Sequence, residues 1–261
     1  MVGLSDIHGL LLDMDGVLSV SWRPLPGAAA TVARLRDAGL LLRVITSTTA
    51  RSRADIGSGL REPGFDFADE DLLTASVSAA AYLRVEHPDA RVFLLGDAQP
   101  VDLEGVRLVG LDDEPEVVLV SGANESFAFD TLNRVYQALL GGAALVAMHR
   151  NLSWMTHEGE RLDAGAYVLG LERAAGHTAV VTGKPAPECF VAGLEALGLP
   201  ADRVAMVGDD IENDVLAAQA VGISGVLVRT GKFREEKLAG ASGTPDHVIG
   251  SIVDLPALLG C

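Results

Sequence analysis

The stretch Ile7-His8-Gly9-Leu10-Leu11-Leu12-Asp13-Met14-Asp15-Gly16 is an apolar run, short enough for a buried strand, that stops at two carboxylates and a glycine. A strand this apolar is covered on both faces, so the neighbouring sequence is expected to supply helices. It does: Pro24, Pro26 and Gly27 punctuate the chain before the helix-forming Ala28–Asp37, and Gly39 closes that helix. Leu40–Ile45 is a second apolar strand, followed by Thr46-Ser47-Thr48-Thr49 and a helix over Arg51–Leu60. Strands alternating with helices imply parallel pairing.

The alternation returns near the C-terminus, with strands at Thr178–Val181, Arg203–Val207 and Gly225–Val228 and helices over Pro187–Leu197 and Ile211–Val221. The two ends are expected to form one sheet. Between them, helices Ala75–Arg84, Phe127–Leu140 and Ala166–Ala174 alternate with strands Val92–Leu95, Val117–Val120 and Ala144–Ala147. Because domain termini often lie close together, a second domain can be spliced into a loop of a first. The expected fold class is α/β: a Rossmann-like parallel-sheet core of residues 1–76 and 178–261, interrupted by an inserted α/β domain of residues 77–177.

The 261 residues are 49% apolar, ample for a buried core, yet no apolar run approaches the ~20 residues that cross a bilayer. The start lacks a basic stretch followed by an apolar one, so a cytoplasmic location is expected. A net charge of −16 disfavours nucleic acid as a partner. It does not disfavour a small anion held beside a bound cation. Cys189 and Cys261 are too far apart in sequence to suggest a zinc site or a disulfide framework.

Asp13 and Asp15 close the first strand, and ligands of open parallel sheets bind at that edge. A carboxylate there can attack phosphorus, and a second, two residues on, can serve as acid and then base. An acidic turn ending a strand is the plain alternative. Thr46 ends the next strand, where its hydroxyl suits a phosphoryl oxygen; a helix-capping run is its alternative. Lys184 follows the strand Thr178–Val181 and can balance a carboxylate and a phosphoryl group, or can simply be a solvated lysine. Gly208-Asp209-Asp210-Ile211-Glu212-Asn213-Asp214 follows Val204–Val207 with four acids in six positions, costly unless a cation or lysine balances them. A favourably charged helix N-terminus is the alternative there.

Asp13-Met14-Asp15-Gly16-Val17, Thr46, Lys184 and Gly208 through Asp214 resemble, in order, the four motifs of the haloacid dehalogenase (HAD) superfamily phosphatases. The insertion resembles the C2-type cap of their NagD-like branch, subfamily IIA. Leu162-Asp163-Ala164-Gly165-Ala166-Tyr167 and Leu227 through Phe233 look closest to the group of phospholysine phosphohistidine inorganic pyrophosphate phosphatase.

The resemblance implies a Mg²⁺-dependent phosphatase acting on small phosphate monoesters or related phospho-compounds through an aspartyl phosphate. Asp13 would be the nucleophile, Asp15 the general acid/base, and Lys184 the residue that orients the nucleophile and meets the phosphate. The metal ligands would be Asp13, Asp209 and the backbone carbonyl of Asp15, with Asp210 or Asp214 in support. Thr46 and Ser47 would bind phosphate, Ser47 standing where relatives often have asparagine. Met148-His149-Arg150-Asn151 replaces an Asn-Pro-Asp of nucleotide-hydrolysing relatives. Asp163 and Gly165 would belong to a substrate-specificity loop, with His149, Arg150, Trp154 and His157 as further candidates. The implied partners are a small phosphorylated metabolite and a second copy docked through the cap, with neither nucleic acid nor membrane. A weakly active phosphate-ligand binding or regulatory protein, and a phosphotransferase or phosphomutase using the same intermediate, are the competing readings.

Overall fold

The computed structural model describes residues 6–156 and 159–261. The chain divides into two compact units. The first holds the chain up to Thr46, Ala54–Leu73 and Lys184–Cys261; the second holds Ser47–Arg53 and Thr74–Gly183.

The sheet of the first unit runs in the order His247–Ile249, Ser224–Val228, Val204–Gly208, Gly9–Asp13, Leu41–Thr46, Leu72–Thr74. The four pairings from His247–Ile249 across to Leu41–Thr46 are parallel. Leu10, Leu11 and Leu12 are all fully buried, as a strand covered on both faces requires. Leu10 and Leu12 pack with Val32, Leu35 and Leu255 on one side of the sheet. Leu11 packs with Ile45, Phe190, Leu197 and Met206 on the other. Each such leucine contributes about 1.5–3 kcal/mol by leaving water, so the apolar run fixes both the depth and the register of the central strand. The chain builds outward from Gly9–Asp13 first in one direction and then, after Lys184, in the other, which makes the ends of Gly9–Asp13 and Val204–Gly208 the topological switch point.

The second unit has its own parallel sheet, ordered Val180–Val181, Ala144–Ala147, Val117–Val120, Arg91–Leu95, Arg107–Leu108. Helices Phe129–Leu140 and Ala164–Ala175 cover one face through Val135, Leu139 and Val168, and Ala75–Glu86 covers the other through Ala79, Ala80 and Leu83. An antiparallel hairpin, Ser153–Thr156 with Gly159–Leu162, is attached.

The strand expected at Thr178–Val181 is not part of the core sheet: Val180 and Val181 pair with Val146 and Ala147 of the second unit. The chain therefore passes into the first unit at Lys184, not at residue 178. Two residues of strand are too few for periodicity to say which sheet they join, and Thr182 N–H extends the pairing by donating to Ala147 O at 3.0 Å. No helix among the described residues is long and apolar enough to cross a membrane.

Candidate active site

The end of strand Gly9–Asp13 delivers Asp13, buried and level with Ile45 of the adjoining strand. Thr46, also buried, ends that neighbour one residue further on. Beyond Asp13 the chain turns tightly: Gly16 N–H donates to Ser19 O at 2.6 Å and Leu18 N–H to Met14 O at 2.9 Å. Gly16 sits at φ 91°, in the left-handed region that favours glycine. Asp15 is partly buried in this turn. Burial raises its carboxyl above the usual range, against the opposing pull of Lys232, the Ser21 backbone and Lys184.

Lys184 is buried, and its Nζ lies 2.6 Å from Asp13 Oδ1 and 2.7 Å from Asp214 Oδ1. Burial alone would favour a neutral amine, but the two carboxylates outweigh it and hold the ammonium charged. Asp209 and Asp214 come from the end of strand Val204–Gly208 and from the π-helical turn Ile211–Leu216 after it. Carboxylate oxygens of Asp13, Asp209 and Asp214 all lie within 4.8 Å of one another. Burial, then Asp13 and Asp214, raise the Asp209 carboxyl well above its ordinary value. Asp214 rises to about 6, burial outweighing its lysine partner.

Sequence left Asp210 and Asp214 as equivalent candidates, and the geometry separates them. Asp214 meets Lys184. Asp210 caps the turn that follows it, accepting from the backbone N–H of Glu212 and Asn213 at 3.2 and 3.1 Å and from Asn213 Nδ2 at 2.9 Å. Burial works against ionisation of Asp210, and the Asn213 bonds win, so its carboxyl lies below the usual range.

Lys232 is a residue that sequence reasoning did not single out. It follows the buried strand Ser224–Val228 in the turn Thr230-Gly231-Lys232, and its backbone N–H donates to Asp209 Oδ2 at 2.7 Å. Burial depresses its ammonium, but Asp209, Asp13 and Asp214 together raise it. The available signal was positional: like Asp13, Thr46 and Asp209, the turn lies at the end of an apolar strand of the core sheet.

The residues expected to line a specificity loop lie in the second unit. Asp163 is buried and caps helix Ala164–Ala175, its Oδ1 accepting from Ala164 N–H at 2.7 Å and Ala123 N–H at 3.2 Å. Its Oδ2 is 3.9 Å from Nε2 of the buried His149. Gly165 is helical rather than part of a loop, and a Cβ there would run into the backbone of Arg150 and Asn151. Arg150 pairs with Glu172, and Trp154 is half exposed on the hairpin. Ser47 belongs to the second unit, and His157 lies outside the described residues.

The cluster can accommodate a divalent cation. Asp209 Oδ1 is buried with no hydrogen-bond partner among the described residues, an arrangement that costs roughly 1–3 kcal/mol or more unless something fills the gap. The clustered ligand atoms of Asp13, Asp209 and Asp214 are carboxylate oxygens, which suit a hard cation. Both oxygens of Asp214 are engaged, Oδ1 by Lys184 and Oδ2 by the Asp210 N–H at 3.2 Å, which leaves Asp13 and Asp209 as the side chains best placed to hold an ion.

Fold and site together define an α/β protein with a buried acidic site at the edge of its parallel core sheet and a second unit inserted in its chain. Residues 10–111 match the family described as haloacid dehalogenase-like hydrolase, and residues 181–255 match one described as HAD-hydrolase-like. The human haloacid dehalogenase-like hydrolase domain-containing protein 2 is 34% identical over 242 residues, 91% of either chain. Human phospholysine phosphohistidine inorganic pyrophosphate phosphatase is 34% identical over 237 residues, 88% of this chain and 86% of that protein. A glycerol phosphate phosphatase from Mycobacterium tuberculosis, solved in complex with magnesium, superposes with a TM-score of 0.86 at 26% identity, covering 98% of this chain and 78% of that one. The chain belongs to the haloacid dehalogenase-like hydrolase family.

Proposed function

We propose that the protein is a Mg²⁺-dependent phosphatase of small phosphate esters that works through a phosphoryl group carried on Asp13. The observation that supports this most is the buried Asp13–Lys184–Asp214 chain beside the unpartnered Asp209 Oδ1. A lysine bonded to Oδ1 of Asp13 sets a positive charge beside that carboxylate and fixes it in one orientation, as a nucleophile requires. Attack by Asp13 on phosphorus breaks the bond to the leaving oxygen. Asp15, whose carboxyl burial biases towards the protonated form, donates the proton that oxygen needs. The resulting Asp15 carboxylate then takes a proton from the water that attacks phosphorus, releasing inorganic phosphate and regenerating Asp13. Thr46, at the end of the adjoining strand, is assigned to a phosphoryl oxygen. Asp13 and Asp209, with the Asp15 carbonyl, would hold Mg²⁺, which when bound supplies charge neutralisation for the phosphoryl oxygens.

The names of the two phosphatases, one of phospho-amino acids and pyrophosphate and one of glycerol phosphate, support a small phosphorylated substrate rather than a polymer. Release of inorganic phosphate from an aryl phosphate is expected with Mg²⁺, and is expected to stop on chelation and in Asp13→Asn. Acid quenching during turnover of a radiolabelled substrate should leave label on the wild-type chain that hydroxylamine removes. Hydrolysis without any trapped label would replace the covalent route by direct attack of water, and equal rates in Asp13→Asn would remove Asp13 from the reaction.

A further inference from the structure

Asp209 is held in an unusual way: one of its oxygens is enclosed by backbone and the other is left without a partner. Oδ2 accepts from Lys232 N–H at 2.7 Å. It lies against Gly16 and Gly231, at φ 91° and 61°, so closely that a Cβ on either glycine would overlap it. A Cβ on Gly231 would also come 2.6 Å from Gly16 Cα, so the two turns are in direct backbone contact. The Thr230 hydroxyl fastens them by donating to the Gly16 carbonyl oxygen. Oδ1, on the other side of the same carboxylate, is buried and accepts no hydrogen bond among the described residues.

With Oδ2 enclosed, Asp209 can offer a cation a single oxygen. Such ligation suits Mg²⁺, which demands near-octahedral geometry. It is less suited to Ca²⁺, which takes six to eight oxygens and often both oxygens of one carboxylate. We propose that the turn Thr230-Gly231-Lys232 is a positioning element that fixes Asp209 as a one-oxygen ligand, and thereby sets both the affinity for Mg²⁺ and the preference for Mg²⁺ over Ca²⁺. This rests on the metal reading above. Thr230, Gly231 and the Lys232 amide act through Asp209 and touch no reacting atom in this scheme.

The test is calorimetric titration of Mg²⁺, and separately of Ca²⁺, into the full chain and its Thr230→Val, Thr230→Ser and Gly231→Ala forms. Partners that orient a ligand typically change metal affinity by roughly 10–100-fold, so Thr230→Val should weaken Mg²⁺ by that order while Thr230→Ser, which keeps the hydroxyl, stays near wild type. Gly231→Ala should lose more. In both weakened variants Ca²⁺ should lose less than Mg²⁺, so the ratio of the two affinities falls. Thr230→Val preserves side-chain shape, and matching thermal melts in chelator will show that its fold is intact. Unchanged Mg²⁺ affinity in Thr230→Val and Gly231→Ala overturns the proposal and leaves the metal reading standing. A parallel loss of both cations overturns the selectivity. A wild-type chain that takes up no Mg²⁺ at millimolar concentration overturns the metal reading, and the proposal with it.

Discussion

Lys184 connects stability to chemistry at a single atom. Its Nζ lies between Asp13 and Asp214, all three side chains buried, so removing the ammonium leaves two carboxylates facing each other without compensation. Loss of one partner from a buried ionic arrangement typically costs about 3–5 kcal/mol, well above the ~1 kcal/mol of an exposed pair. Lys184→Met is therefore expected to lose that amount in urea unfolding in the presence of chelator. Adding Asp214→Asn to it should recover part of the loss, because the double variant no longer buries two facing charges. If the double variant is no more stable than Lys184→Met alone, lost packing of the lysine stem is the cause instead.

Among the elements, the continuous apolar strands were legible in sequence because burial on both faces leaves no polar position to blur them. Val117–Val120 and Ala144–Ala147 are found with the expected bounds, and Gly9–Asp13 and Val204–Gly208 within two residues of them. The candidate site residues that end these strands were legible for the same reason: the apolar run marks where the sheet edge falls, although an acidic turn was the plain alternative there. Short elements were not. Leu72–Thr74 and His247–Ile249 are three residues each, below the length at which a period can be counted. The strand Val180–Val181 was assigned to the other sheet because its partner is decided by long-range pairing alone. Thr46–Thr49 read as one run, yet the unit boundary falls inside it, after Thr46. From Ser47 the segment is fastened within the second unit: Thr49 Oγ1 donates to Asp97 Oδ1 at 2.5 Å, Gly122 N–H donates to Thr49 Oγ1 at 3.1 Å, and Arg53 N–H donates to Asp102 at 2.8 Å. Burial raises the Asp97 carboxyl from its ordinary 3.8, the Thr49 bond opposing it. The folded chain then holds this proton more tightly than the unfolded chain, so the group's contribution to stability declines as pH rises from the ordinary carboxylate range through the raised value. Asp97→Asn has no such proton. Its stability relative to wild type should improve as pH rises above the ordinary carboxylate range in urea titrations, whatever its offset at the acid end. A difference that stays flat with pH would mean that Asp97 titrates alike in both states.

For the whole molecule, the residues assigned to the metal, Asp13, Asp15 and Asp209, all belong to the first unit, although Asp209 is separated from the others by the entire second unit in sequence. Binding stabilises only conformations that keep the site, so a cation should oppose opening of the first unit and not an independent opening of the second. At a Mg²⁺ concentration of about 100 times Kd the gain is about 2.7 kcal/mol, which corresponds to roughly 100-fold slower exchange for amides that open with that unit. Native-state hydrogen exchange read by mass spectrometry should therefore show strong added protection at Leu10–Leu12 and Ala205–Val207, strands paired to each other in the core sheet. Val117–Val120, fully paired inside the second sheet, should keep its rate. Equal added protection in both segments would mean that the two units unfold as one cooperative body, with the crossings of the chain after Thr46, Arg53, Leu73 and Gly183 transmitting the stabilisation in full.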